Sequence, residues 1–97
     1  MDLDFGDQFA WDAVVGAVDY KVELSTLAGV IEKEVVTTNL SVFVGELFAG
    51  LTGITYGSQH RARVRARDGV VGGGADSPYI TFVLVGLPAP TNFHVVV

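Results

Sequence analysis

The residue types that carry most acid–base and nucleophilic chemistry are scarce in this chain. It has no cysteine and two histidines, His60 and His94. Nucleophilic catalysis needs a serine, threonine or cysteine beside a base that a third group orients. Both histidines lie in strand-like segments, and the sequence has no nucleophile-elbow motif. We therefore predict that the chain is not an enzyme, that His60 is a structural residue and that His94 is exposed on a terminal strand.

Two further segments have the composition of ligand sites without the rest of the pattern. Asp2, Asp4 and Asp7 place carboxylates near the amino terminus, but the EF-hand spacing with its closing glutamate is absent. Glycine is frequent in segment 69–74, but no Lys-Ser or Lys-Thr pair follows it, as it does in phosphate-binding loops. We expect a surface loop there, no metal site and no cofactor.

The most regular chemical pattern is a row of arginines at alternate positions. Alternate side chains of a strand point to opposite faces of a sheet, so segment 60–67 predicts one apolar face and one basic face. The basic face, which we call the arginine stripe, consists of Arg61, Arg63, Arg65 and Arg67.

Two interpretations of the arginine stripe stay open. A guanidinium group bonds a carboxylate through two parallel hydrogen bonds, which suits docking onto an acidic partner. The alternative is an ordinary solvated strand face. Five aspartates precede the first basic residue, Lys21, so the acidic part of one copy and the stripe of another have complementary charge. We therefore expect the stripe to be a protein contact.

Length and composition predict one folded domain. The 97 residues suit a single core, and 49% are hydrophobic against 18% charged.

A formal charge of -5 argues against nucleic-acid binding, which needs a basic surface. No signal pattern is present, and apolar runs fall far short of the roughly 20 residues that span a bilayer, so we expect a soluble protein without membrane contact. A mean hydropathy of +0.44 predicts apolar surface that meets a partner.

The local pattern predicts an all-β chain with no helix. β-Branched and aromatic residues form short runs separated by Gly, Asp, Asn and Pro. The predicted strands include 20–24, 30–37, 40–47, 60–67 and 79–85. Run 30–37 has a charged centre that favours a solvated position or a sheet edge. Run 79–85 is apolar on both faces, so either arginine side chains cover its outer face or that face is a subunit contact.

Three segments, taken in their order along the chain, resemble the fibronectin type III domain. Trp11–Val14, Gly16–Ala17 and Tyr20–Val22 are similar to the family's second-strand Trp, its turn and its Tyr-x-Val third strand. Gly53–Ala66 is similar to Gly-Leu-x-Pro-Gly-Thr-x-Tyr-x-x-x-Val-x-Ala, and Asp76–Tyr79 resembles the segment before the final strand. The resemblance covers most of the chain and implies an antiparallel sandwich of about seven strands.

The resemblance also implies a core and a corner. His60 stands where the family has a corner tyrosine that bonds to main chain, and we expect a ring nitrogen to make the equivalent bond. Val15 and Tyr56 stand where proline is usual. The implied core residues are Trp11, Tyr20, Val22, Ile54, His60 and Val64.

The family's first strand has no counterpart before Trp11, whereas a similar segment stands at the other end of the chain. The family begins with Pro-x-Ala-Pro-x-Asn-Leu-x-Val, and residues 87–97 read Leu-Pro-Ala-Pro-Thr-Asn-Phe-His-Val-Val-Val. We therefore predict a sandwich over residues 1–87 that lacks its usual first strand, followed by a Pro-rich linker and displaced strand over residues 88–97.

Geometry limits where this tail can pair. In the family the last strand ends at the pole opposite the start of the first strand, and Pro88–Pro90 is too short to return there. Either the tail adds to a neighbouring copy or domain, which we favour, or it folds back in a different pairing. Its expected contact residues are Pro90, Phe93, Val95 and Val97.

These patterns predict a non-catalytic structural or interaction module whose partners are copies of itself or other subunits. Domains of the resembled family decorate bacteriophage capsids and tails, and a short chain that begins with Met and has no signal suits a virion component assembled in the host cytoplasm. The alternative is a spacer or carbohydrate-binding module of a larger bacterial extracellular protein. Sugar binding favours exposed aromatic platforms, for which Tyr56 and Tyr79 are poor candidates.

Overall fold

The computed structural model describes residues 1–69, 74–86 and 89–97. Across these residues the chain is built mainly of strands, which confirms the all-β prediction at that level. The elements are β1 (Asp2–Leu3), β2 (Gln8–Ala10), β3 (Asp19–Thr26), β4 (Ile31–Thr37), β5 (Ser41–Phe43), α1 (Val44–Phe48), β6 (Gln59–Arg67) and β7 (Ile80–Leu84). No described helix has the length and apolar character needed to cross a membrane. Most of the predicted glycine-rich loop, 70–73, and the start of the linker, 87–88, lie outside the described residues.

Two sheets enclose the core. The larger has the strand order β1-β7-β6-β3-β4, and the smaller pairs β2 with β5 antiparallel. Three neighbouring pairs of this sheet are antiparallel: β7 with β6, β6 with β3, and β3 with β4. The remaining strand, β1, runs parallel to β7. β4 lies at the edge of the larger sheet, which is one of the two positions that its charged centre predicts.

The prediction of a purely antiparallel sandwich is wrong at the amino terminus. The turn after β1 carries the chain across to β2 in the other sheet, so β1 lies beside β7 and makes that sheet mixed. Carboxylates hold the turn: Asp7 Oδ2 accepts from Asp4 N at 2.9 Å, and Asp4 Oδ1 accepts from Gly6 N at 2.8 Å. The sequence of a two-residue strand does not identify its partner, because pairing depends on where this turn directs the chain.

The prediction of a strand over 40–47 is wrong beyond residue 43. Val44, Leu47 and Phe48 are buried, and their i, i+3, i+4 spacing places them on one face of α1. Gly45 N donates to Phe5 O at 3.1 Å, which docks α1 on the amino-terminal turn. A short apolar run suits a strand or a buried helical turn equally well, so this tertiary contact decides between them.

The core lies between the sheets. Its buried members are Val22, Leu24, Val42, Val44, Leu47, Phe48, Ala62, Phe82 and Leu84. Among the residues that the resemblance places in the core, Tyr20, Val22 and His60 are buried. Trp11, Ile54 and Val64 are partly buried and pack against the same cluster.

Residues 89–97 stand away from the sandwich. All of them are exposed, and none belongs to a strand. The radius of gyration is 16.4 Å, against about 13 Å for a compact domain of this length. The difference arises because the molecule extends to 65 Å along one axis but only 27 and 23 Å along the others.

Candidate functional site: a groove beside β2

Two members of the arginine stripe form bidentate pairs with aspartates of the same chain. Arg67 donates two hydrogen bonds to Asp19, at 2.7 and 3.0 Å, and Arg65 donates two to Asp76, at 3.0 and 2.8 Å. These hydrogen bonds lower the pKa of the Asp19 and Asp76 carboxyl groups and raise the pKa of both guanidinium groups. The bidentate geometry predicted for an external carboxylate is therefore used inside the molecule.

The other two arginines cover the outer face near β7. Arg63 Nη2 lies 3.2 Å from Glu23 Oε1. The guanidinium carbons of Arg61 and Arg63 lie 4.0 and 4.5 Å from the centre of the Tyr79 ring, within the range of cation–π contact. At Tyr79, this geometry agrees with the interpretation that arginines cover the outer face of run 79–85. Because all four guanidinium groups have partners in the chain, the stripe offers a second molecule little free charge.

A hydrogen-bonded cluster around His60 has the residue types of a hydrolase triad. His60 is 3% exposed. Its Nε2 lies 2.7 Å from Ser58 Oγ, and its Nδ1 lies 2.6 Å from Glu32 Oε1. The Phe48 ring packs edge-on against the imidazole, with centroids 4.9 Å apart. The main-chain bond expected for His60 is thus replaced by two side-chain bonds, which sequence analysis missed because Glu32 is remote along the chain.

This cluster lacks two features that acyl transfer requires. Ser58 Oγ donates its proton to Thr55 O at 2.6 Å, so the hydroxyl does not donate that proton to the ring. The neighbouring amides are also engaged, since Ser58 N donates to Thr55 O and Gly57 N to Leu84 O, and neither faces a developing oxyanion. His60 instead links β6 to β4 across the end of β3. The geometry is that of a structural corner.

A groove opens between β2 and the segment that leads into β7. Its volume is about 330 Å³. Phe9 and Trp11 line it from one sheet, Pro78–Ile80 line it from the approach to β7, and Val22 and Val64 line it from β3 and β6. We call this feature the β2 groove.

Ile80 identifies the β2 groove as an uncovered part of the core. Side chains at alternate positions of β7 share a face, so Ile80 points the same way as Phe82 and Leu84. Phe82 is 1% exposed and Leu84 0%, but Ile80 is 43% exposed. In a sandwich, such inward-facing residues are normally covered by the opposite sheet. Here the smaller sheet ends at β2, and Ile80 is left open to solvent.

The backbone of β2 has an unpaired edge beside the groove. Trp11 N donates to Leu40 O at 3.0 Å, so in this antiparallel ladder residues 7, 9 and 11 direct their backbone groups towards the β5 side. The amide and carbonyl groups of Gln8 and Ala10 point the opposite way. Within the described part of the chain, no strand lies on that side.

Trp11 adds an unsatisfied donor at the same place. Its Nε1 is buried and has no hydrogen-bond partner among the described residues. The other buried side-chain atom in this condition, Arg63 Nε, also belongs to a residue that lines the groove. A buried donor without an acceptor costs about 1–3 kcal/mol. An acceptor within reach of the indole would remove that cost.

The expected contact residues of the tail are exposed. Phe93 is 96% exposed, Val95 81% and Val97 116%, and Pro90 is exposed as well. The hydrogen bond described in this segment is local, between His94 Nδ1 and Asn92 O at 2.6 Å. The structure therefore brings the tail to neither the arginine stripe nor the β2 groove. Sequence analysis identified the apolar tail but missed the groove. The one sequence signal for the groove was run 79–85, which is apolar on both faces.

Comparison of the chain with protein-family models, with curated proteins and with solved structures found no match. The resemblance to the fibronectin type III domain therefore rests on the sequence motifs alone and stays a prediction. The fold is established at the level of a mainly β chain with one mixed sheet and one small antiparallel sheet.

Proposed function

We propose that this chain is a non-catalytic structural module that binds protein partners, either copies of itself or neighbouring subunits of an assembly. One observation carries the proposal: the core is left open along β2. Ile80 faces the interior yet is 43% exposed, and among the described residues no strand lies beside the outward backbone groups of Gln8 and Ala10. Unpaired strand edges of this kind pair readily with another chain.

The chemistry of the polar residues supports binding over catalysis. The Ser58 hydroxyl and amide are both bonded to Thr55 O, so the His60 cluster has neither an activated nucleophile nor an oxyanion site. The guanidinium groups of the arginine stripe are bonded within the chain. The groove, by contrast, is apolar and borders unpaired backbone groups, a combination that suits a polypeptide partner.

The finer proposal is a bacteriophage virion component, such as a capsid decoration or a tail-associated protein that assembles in the host cytoplasm. Its support is the resemblance to the fibronectin type III domain together with extensive exposed apolar surface. Val15 is fully exposed at 103%, and Val18 and Val30 are exposed by 62% and 63%. A subunit held in a lattice meets neighbours on several sides, which would cover such residues.

The alternative is a spacer or carbohydrate-binding module of a larger extracellular protein. A sugar ring stacks on a free aromatic face. Trp11 packs against Tyr20 with ring centroids 5.7 Å apart, and two arginines lie over Tyr79. Each ring therefore already contacts other side chains of the chain, which leaves less aromatic surface for a sugar and weakens this alternative.

The molar mass of the intact chain in solution tests the proposal. Light scattering after size-exclusion chromatography, from low micromolar to millimolar concentration, is expected to show a mass that rises above the 10.3 kDa of one chain. A mass of one chain at every concentration would contradict self-association. Specific binding of the monomer to a soluble glycan panel would favour the carbohydrate-binding alternative.

A further inference from the structure

We propose that the C-terminal segment of a second copy fills the β2 groove as an added strand, antiparallel to β2. This inference rests on the proposed assembly function and names its partner surface. It unites two observations on the described residues that the single chain leaves separate. One is an apolar groove beside an unpaired strand edge, and the other is an apolar C-terminal segment whose side chains are exposed.

The segment has the pattern that the groove requires. In an extended conformation Phe93, Val95 and Val97 share one face, because alternate side chains of a strand do so. That face would cover Ile80 and the rest of the groove lining. The backbone of the added strand would pair with the outward groups of β2, namely those of Gln8 and Ala10. Its three consecutive valines have high β propensity.

The strand direction follows from how β2 lies against β7. The turn after β1 places the start of β2 near the carboxyl end of β7, and the other end of β2, at Trp11, borders Pro78–Ile80. A strand antiparallel to β2 therefore enters the groove at the Ile80 end. The chain leaves β7 at the opposite end, where Gly86 lies against the Tyr56 ring.

The tail of the same molecule is too short for this path. The chain between Gly86 and Phe93 spans at most about 25 Å. The level of Ile80 lies about 20 Å back along the strand and about 10 Å across to the other sheet, a straight distance of about 22 Å. That leaves less than one residue of chain for the reversal of direction, and a tight turn takes four residues. A second copy placed end to end needs no reversal. Each molecule then offers one tail and one groove, so the contact is heterologous and builds an open-ended chain.

Complementary variants of the intact chain test the inference. Ala10→Pro removes an outward N–H of β2 without touching the groups that bond to the β5 side. Its matched control is Ser41→Pro, because Ser41 lies opposite Ala10 in the register and its backbone faces the other free edge of this small sheet. Phe93→Asp places a charge on the inserted face of the tail, and His94→Asp adds the same charge on the opposite face of the same segment.

We expect Ala10→Pro and Phe93→Asp each to weaken self-association at least tenfold, while both controls assemble as the wild type does. An equimolar mixture of Ala10→Pro and Phe93→Asp is expected to form a one-to-one dimer, because one chain supplies the tail and the other the groove. Such a dimer cannot grow further. Circular dichroism and thermal unfolding establish that Ala10→Pro has kept its fold.

Trp11 reports the same event directly, because it is the only tryptophan of the chain. A peptide with the sequence of residues 89–97, added to the Phe93→Asp chain, is expected to shift the Trp11 emission. The same peptide with the Phe93→Asp change is expected to leave it unaltered. A folded Ala10→Pro chain should show no shift with either peptide.

The outcomes separate this inference from the proposed function. If the wild type assembles but Phe93→Asp assembles equally well, the tail does not fill the groove, and assembly through another surface stands. If the variant mixture stays monomeric and the peptide leaves Trp11 emission unchanged, the inference is overturned. A wild type that stays monomeric at every concentration overturns the inference and self-association together.

Discussion

Ile80 and Phe82 lie two residues apart on the same face of β7, yet Phe82 is 1% exposed and Ile80 is 43% exposed. The Phe82 ring packs against Phe9 of β2, with centroids 5.6 Å apart. Ile80 lies beyond the point where the smaller sheet can cover it. This one-step change from core to solvent marks the boundary of the β2 groove.

The first prediction compares these two positions in stability. Phe82→Ala should lower the free energy of unfolding by about 3–5 kcal/mol, because it leaves a cavity in the closed core. Ile80→Ala should cost about 1 kcal/mol, since much of its side chain is already in water. Urea unfolding followed by circular dichroism measures both, in the Phe93→Asp background so that association does not contribute. Equal losses would show that the groove is closed in solution.

The second prediction concerns the structural corner. Glu32→Ala leaves Nδ1 of buried His60 without its partner at 2.6 Å and should lower the free energy of unfolding by about 1–3 kcal/mol. The control is Glu34→Ala on the same strand, whose carboxylate is exposed and lies 3.9 Å from Lys21 Nζ. That change should cost less than about 0.5 kcal/mol. Similar effects from both substitutions would argue against a buried structural role for the pair.

The third prediction concerns acid. The hydrogen bonds from Arg65 and Arg67 lower the pKa of Asp76 and Asp19 in the folded state. A lowered folded pKa contributes stability that is present above the unfolded pKa, near 3.8, and is lost as the pH falls through the folded pKa. Asp76→Asn should therefore destabilise the chain at neutral pH, and its difference from the wild type should shrink as the pH falls below about 3.8. Thermal unfolding between pH 2 and 7 measures this, and a constant difference would contradict the linkage.

The fourth prediction concerns the docking of α1. Alanine ordinarily stabilises a helix by about 1 kcal/mol relative to glycine. At Gly45, however, an added Cβ would lie 3.2 Å from both the carbonyl oxygen and the Cβ of Phe5, so backbone would have to move. Gly45→Ala should therefore lower the melting temperature, which differential scanning calorimetry can measure. A rise in melting temperature would show that the amino-terminal turn does not hold α1.

Several features of the fold follow from local pattern alone. The alternation in segment 60–67 predicts a strand with arginines on one face, and β6 has that arrangement. The charged centre of β4 predicts a solvated position or a sheet edge, and β4 lies at the edge of the larger sheet. These features depend on a period of two and on local charge, both of which are properties of neighbouring residues.

The partners of those residues required the tertiary structure. Nothing in the sequence near Arg67 indicates Asp19, and nothing near His60 indicates Glu32, because each pair is brought together by strands that lie far apart in the chain. The helical turn at Val44 also follows from a distant contact, with the amino-terminal turn.

The sequence by itself determined that the chain is mainly β, that its arginines alternate along one strand and that its C-terminal residues are apolar. The tertiary structure decided that β1 joins β7, that the arginines are bonded within the chain and that the core is open beside β2. The physical reason is the distance along the chain over which each interaction acts. Side-chain alternation and strand propensity act between sequence neighbours, whereas a gap in a core exists only once two sheets have come together and one ends a strand short of the other.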